Sequence, residues 1–201
     1  FNSGGVMSLG ASYTTANNAS GASAIAALDI DLDTKMDIVI GNTGSNDVSV
    51  FRNGGTGSFL DLGTIAGQNI PVLKQPVALY VNDFDNDGDP DLAVACQGSD
   101  SITVVSNNYT PAAPLAAPTP VNVSCGNKGR DIVGLDVTGI HGIIDLVVLN
   151  ANGSISILKN QLRTSPPPAI IPSSSTFKFP DVPSTSFDVS PFVLYSSVTS
   201  V

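Results

Sequence analysis

The stretch VNDFDNDGDPDLAVAC, residues 81–96, sets Asp83, Asp85, Asp87, Asp89 and Asp91 at alternate positions beside an apolar run. Carboxylates crowded in this way repel one another unless a cation sits among them. Calcium suits them best, because it is a hard ion that takes about six to eight oxygens at about 2.3–2.6 Å. In Asp83-x-Asp85-x-Asp87-Gly88-Asp89-x-Asp91, alternate side chains turn inward, Gly88 permits a sharp turn and Asp89 offers its backbone carbonyl. An EF-hand is excluded: Val94 stands where that loop needs a bidentate Glu, and strand-like runs flank the aspartates.

The pattern occurs once before, as Asp29-x-Asp31-x-Asp33-Thr34-Lys35-x-Asp37. All four side-chain positions are kept, and a carbonyl from Lys35 would serve as that of Asp89 does. Thr34 replaces the glycine, and a β-branched residue fits a left-handed turn poorly, so this second calcium site is expected to be the weaker. A third loop, DVTGIHGIID over 136–145, keeps Asp136 and Asp145 with Thr138 between them, and no metal is expected there. His141 lies in that loop without a nucleophile at meaningful spacing and reads as a surface residue. NGGTG at 53–57 reads as a hairpin turn rather than a phosphate loop, because no helix follows it.

The elements that position these loops repeat. ALDIDLDTKMDIVIG (27–41) matches YVNDFDNDGDPDLAVA (80–95) at a shift of 54, and a second such shift sets Asp145 opposite Asp91. DVSVFRN, SITVVSN and SISILKN close the copies at Asn53, Asn107 and Asn160. Each copy reads as an apolar strand, an acidic loop, a second strand, an alternating third strand and, after a Gly-rich turn, a weaker fourth. That is the make-up of a propeller blade. Residues 1–160 form three units, approximately 1–53, 54–107 and 108–160, phased to open on a fourth strand, with Phe1 near the end of a third. SPPPAIIPSSS makes 161–175 a Pro/Ser-rich linker, and 176–201 is a C-terminal β segment without an acidic loop. The expected fold is all-β: three four-stranded blades of a partial or open propeller with an extended C-terminal tail.

Composition agrees. All 17 acidic residues are Asp, and 19 Gly and 14 Pro accompany many Val, Ile, Ser and Thr. The net charge is −9 and the eight basic residues are scattered, so nothing suggests nucleic acid or an anionic membrane surface as a partner, and no nucleic acid is expected. No apolar run is long enough for a spanning helix, so no membrane insertion is expected. Cys96 and Cys125 allow one disulfide, in a secreted protein, or two buried thiols. Asn18, Asn108, Asn122 and Asn152 head glycosylation sequons, which permit secretion without proving it.

The acidic loop followed by an apolar strand resembles the FG-GAP/VCBS repeat, the calcium-bearing blade of the integrin alpha-subunit propeller and of many secreted proteins. The resemblance covers roughly residues 20–160 and rests on the loops at 29–37 and 83–91. It implies that Asp83, Asp85, Asp87 and Asp91, and likewise Asp29, Asp31, Asp33 and Asp37, give side chains to calcium, with carbonyls from Asp89 and Lys35. It implies also that the ion is structural and that the loop joins the first two strands of a blade. The Phe-Gly and Gly-Ala-Pro signature is poorly kept, which favours the VCBS-like branch. The expected function is a non-catalytic extracellular or cell-surface scaffold for adhesion or filament assembly. Its partner would be another protein or further copies of the chain, joined by strand exchange. The alternatives are a carbohydrate-binding module, opposed by the absence of Trp and by only four Tyr, and an accessory propeller domain of a larger secreted enzyme.

Overall fold

The computed structural model describes residues 10–15, 18–56, 58–61, 69–107, 120–139 and 142–161, and the backbone of two strands at 177–178 and 186–192. Phe1, Asn108, His141 and nearly all of the 161–175 linker lie outside the described residues. The chain is all-β, in three sheets. The first runs β1 (Ala22–Leu28), β2 (Asp37–Asn42), β3 (Asp47–Asn53) and β4 (Phe59–Asp61), with β5 (Ile70–Pro71) also on β3. The second runs β6 (Pro76–Asn82), β7 (Asp91–Cys96), β8 (Ser101–Val105) and β9 (Val121–Ser124). The third holds β10 (Gly129–Leu135), β11 (Asp145–Asn150) and β12 (Ile155–Asn160).

The repeat is visible in the register. The first two strands of every sheet pair antiparallel, with the same irregularity near their outer end, at Ala22/Ala24, Pro76/Ala78 and Gly129/Asp131. Antiparallel β4 and β9 follow β3 and β8, so each of the first two sheets draws its fourth strand from the opening of the next sequence unit, as the phase requires. The Asn53–Ser58 connection is a hairpin turn, in which Gly54 N donates to Ser58 O at 3.1 Å.

Alternation of side chains across a strand decides the core. In β7 every residue is buried. Leu92, Val94 and Cys96 pack with Leu28, Val39, Val48 and Val50 of the first sheet, whereas Ala93 and Ala95 pack with Ile132, Leu146 and Val148 of the third. The middle sheet is therefore covered on both faces, which explains why its second strand reads as a continuous apolar run. Tyr80 reaches over β10, its hydroxyl donating to Gly134 O at 3.4 Å. A Cβ at position 134 would lie 2.3 Å from the Tyr80 ring, so only glycine allows this approach.

One expectation is corrected. The disulfide allowed by the sequence does not form: Cys96 and Cys125 are both buried, free thiols. They sit in the two different core clusters, on opposite faces of the middle sheet. Cys96 takes the place held by Asn42 in the first sheet and Asn150 in the third. Its Sγ lies 3.5 Å from the Thr103 hydroxyl, as the Asn42 amide lies 2.9 Å from that of Ser49. Burial pushes both thiols above their ordinary pKa. Alkylation of the native protein is therefore expected to be slow, and alkylation in denaturant without reductant should add two groups to the intact mass. A mass unchanged by alkylation in denaturant would restore the bridge.

The C-terminal β segment takes part in the third sheet. β14 (Ser186–Phe192) lies parallel on β12, and β13 (Phe177–Lys178) pairs antiparallel with β14. The third sheet thus has five strands, its fourth place taken by a distant segment in the direction opposite to β4 and β9. An open strand edge is a template for whatever strand can reach it, and here the chain supplies its own.

Candidate metal centre

Each acidic loop joins the first two strands of its sheet, β1 to β2 and β6 to β7. Backbone N–H groups wrap onto the aspartates in the same order in both. Asp29 accepts from Asp33 N at 3.0 Å and Thr34 N at 2.8 Å; Asp83 accepts from Asp87 N at 3.2 Å and Gly88 N at 3.0 Å. Asp31 and Asp85 each accept from the N–H two residues on, at 3.3 Å. Asp33 accepts from Lys35 N at 3.0 Å and Asp87 from Asp89 N at 2.9 Å. These Asx-type turns wind the chain so that alternate carboxylates converge. Gly88 takes φ 98° and Thr34 takes φ 70°. The left-handed region is free to glycine and strained for a β-branched residue, so the first loop is held together at some conformational cost.

The last aspartate of each loop does more than the sequence suggested. Asp91 is fully buried, and its two oxygens accept from Phe84 N and Asn107 N, both at 2.8 Å. Asp37 does the same for Ile30 N at 3.0 Å and Asn53 N at 2.7 Å. In the third sheet Asp145 accepts from Val137 N, Thr138 N and Asn160 N at 2.9, 3.0 and 2.8 Å. This residue clamps the loop to the end of the third strand with or without further acidic neighbours. The asparagines add a tie between sheets: Asn107 Nδ2 donates to Ile30 O in the first loop at 2.9 Å, and Asn160 Nδ2 to Phe84 O in the second at 2.7 Å. The asparagine closing each copy was the sequence signal for this contact, although its role was not read from it.

One ligand atom each from Asp83, Asp85 and Asp91 lies within 4.8 Å of the others, and the same holds for Asp29, Asp31 and Asp37. Asp33 and Asp87 stand outside these triads, and Asp89 is half-buried beside the second. Asp85 Oδ2 is buried without a hydrogen-bond partner. An all-oxygen donor set with a buried acceptor left over fits a hard divalent ion. The first triad has company: Lys35 Nζ lies 2.6 Å from Asp33, and Arg52 pairs with Asp31 and, at 3.8 Å, with Asp33. The loop spacing implied only a carbonyl role for Lys35 and gave no sign of Arg52, which lies outside the loop in β3. In the third loop Asp136 accepts from Gly139 N, and no triad forms there among the described residues.

Burial, reinforced by the neighbouring Asp85 and Asp87 charges, lifts the Asp91 carboxyl to about 7, although its two backbone donors pull the other way. Burial first and the Asp87 charge second lift Asp85 to about 6. Burial raises Asp37 as well, whereas the Lys35 hydrogen bond holds Asp33 below the usual range. A folded carboxyl raised above its unfolded value of about 3.9 contributes stability that is complete below that value and is lost as pH rises through 6–7. The melting temperature of the metal-free protein should therefore fall between pH 5 and pH 8. A calcium-saturated sample should show no such fall, because the ion needs the ionised carboxylates. Scanning calorimetry in chelator and in calcium checks this; a flat metal-free profile would contradict it.

Of the other sequence candidates, Asn18, Asn122 and Asn152 are exposed. Asn122 Oδ1 accepts from the Thr103 hydroxyl at 2.8 Å.

Fold and site together define a protein of blade-like β-sheets, two of which carry an acidic loop suited to a divalent cation between their first and second strands. Residues 29–94 match the FG-GAP-like repeat family, a span that opens on Asp29 and takes in both acidic loops. An FG-GAP-like repeat thus occupies this part of the chain, while the third sheet lies beyond the match. No curated protein matches the chain.

Proposed function

We propose that this chain is a non-catalytic scaffold in which calcium stiffens blade-like sheets, serving adhesion or surface assembly outside the cell. The observation that carries the reading is the Asp83–Asp85–Asp91 triad, with its unpartnered buried oxygen, on a loop that Asn160 ties to the next sheet. Asp83, Asp85 and Asp91 would hold the ion, with Asp87 and Asp89 beside them. An ion there offsets the mutual repulsion of the carboxylates and so holds the segment on which the sheet-to-sheet bond depends. FG-GAP repeats are typical of extracellular proteins, and no helix among the described residues is long and apolar enough to cross a membrane. A protein partner or a second copy of the chain would meet the sheets at their edges.

Calcium titration of chelator-treated protein tests the reading. Two ions per chain are expected, the tighter at Asp83–Asp91, with magnesium binding more weakly because it demands a smaller octahedral cage. Absence of saturable calcium binding would overturn it.

A further inference from the structure

The two acidic loops share one hydrogen-bond plan and differ in what neutralises them. In the first loop Lys35 pairs with Asp33, and Arg52 with Asp31 and Asp33. The Asp31 side chain is only 1% exposed and lies against the Arg52 guanidinium, which itself remains 42% exposed. Arg52 sits one place before Asn53, whose N–H bonds to Asp37; in the second sheet the residue one place before Asn107 is Ser106. The residue corresponding to Asp31 is Asp85, equally buried; the Oδ2 of each is without a hydrogen-bond partner, and that of Asp31 has the Arg52 ion pair. The same oxygen position thus faces a guanidinium in one loop and, among the described residues, no basic side chain in the other.

We infer that Arg52 is the resident counter-ion of the first loop and competes with calcium for Asp31 and Asp33, so that it, rather than the loop backbone alone, sets the affinity gap between the two sites. The inference rests on the calcium reading of the loops. A guanidinium cannot be deprotonated, so it leaves only by swinging out, and its exposed outer part lets it do so. Calcium at the first loop must break those pairs before it gains Asp31, whereas at the second loop Asp85 is open. Lys35, on Asp33 at 2.6 Å, adds to the competition. The first loop therefore keeps its shape when calcium is scarce, and the second depends on the ion.

The test isolates the first loop by titrating calcium into Asp85→Ala and into Asp85→Ala with Arg52→Ser, which copies the second sheet. Removing the competitor should tighten binding roughly tenfold, within the usual range for coupled ligands. Ser106→Arg in an Asp31→Ala background should weaken the second site by a similar factor. Thr34→Gly separates the backbone contribution: if it alone closes the affinity gap and Arg52→Ser changes nothing, the inference is overturned. Melting in chelator gives a readout without calcium, in which Arg52→Ser should lower the melting temperature. If no variant binds calcium, the proposed function fails. The counter-ion role then stands if chelated Arg52→Ser melts lower than the parent, and falls if it melts at the same temperature or higher.

Discussion

Chelating calcium is expected to lower the melting temperature of this chain by roughly 5–10 °C, and Asp85→Ala to remove most of that response. A ligand bound only by the native state stabilises it by about 2.7 kcal/mol at a hundred times its dissociation constant. In a chain of this length each kcal/mol moves the midpoint by about 2–4 °C. The response should come chiefly from the second loop, where Asp85 is buried with an oxygen unpartnered and no described basic residue pairs with the triad. Asp136→Ala should leave it unchanged, since Asp136 belongs to no triad among the described residues. Melting curves in calcium, in chelator and after calcium is restored decide the matter. A curve indifferent to chelator would remove calcium from the account of this fold.

Asp145→Ala should destabilise the protein by about 3 kcal/mol or more, equally in calcium and in chelator. Its fully buried carboxylate accepts from three backbone N–H groups, those of Val137, Thr138 and Asn160. Each donor left unpaired in a buried place costs about 1–3 kcal/mol. Urea denaturation measures it: the midpoint should fall by the same amount with and without calcium, whereas that of Asp85→Ala should fall mainly in calcium. If Asp145→Ala lost stability only in the presence of calcium, the residue would be a metal ligand and the clamp a by-product. The comparison separates two roles that one aspartate position combines in the first two sheets.

Much of this protein is legible without coordinates because its key features are local. The aspartates of each loop lie within nine residues, so their spacing alone dictates which carboxylates can converge, and Gly88 announces the left-handed turn it makes at φ 98°. The 54-residue shift marks the strands because every sheet must bury the same alternate positions, and FG-GAP-like character over 29–94 follows from those loops. Tertiary structure decided what lies far apart in the chain. Arg52 meets Asp31 only because β3 returns beside the loop, and Asn107 reaches Ile30 across 77 residues because the second sheet packs on the first. Cys96 and Cys125 resemble a disulfide pair until the sheet between them puts one in each core cluster. The parallel seat of β14 on β12 depends on which edge stays open after the antiparallel strands have paired. Spacing along a chain fixes what neighbours can do together; which distant residues become neighbours is set by strand register and by burial on two faces at once, and no single segment carries that information.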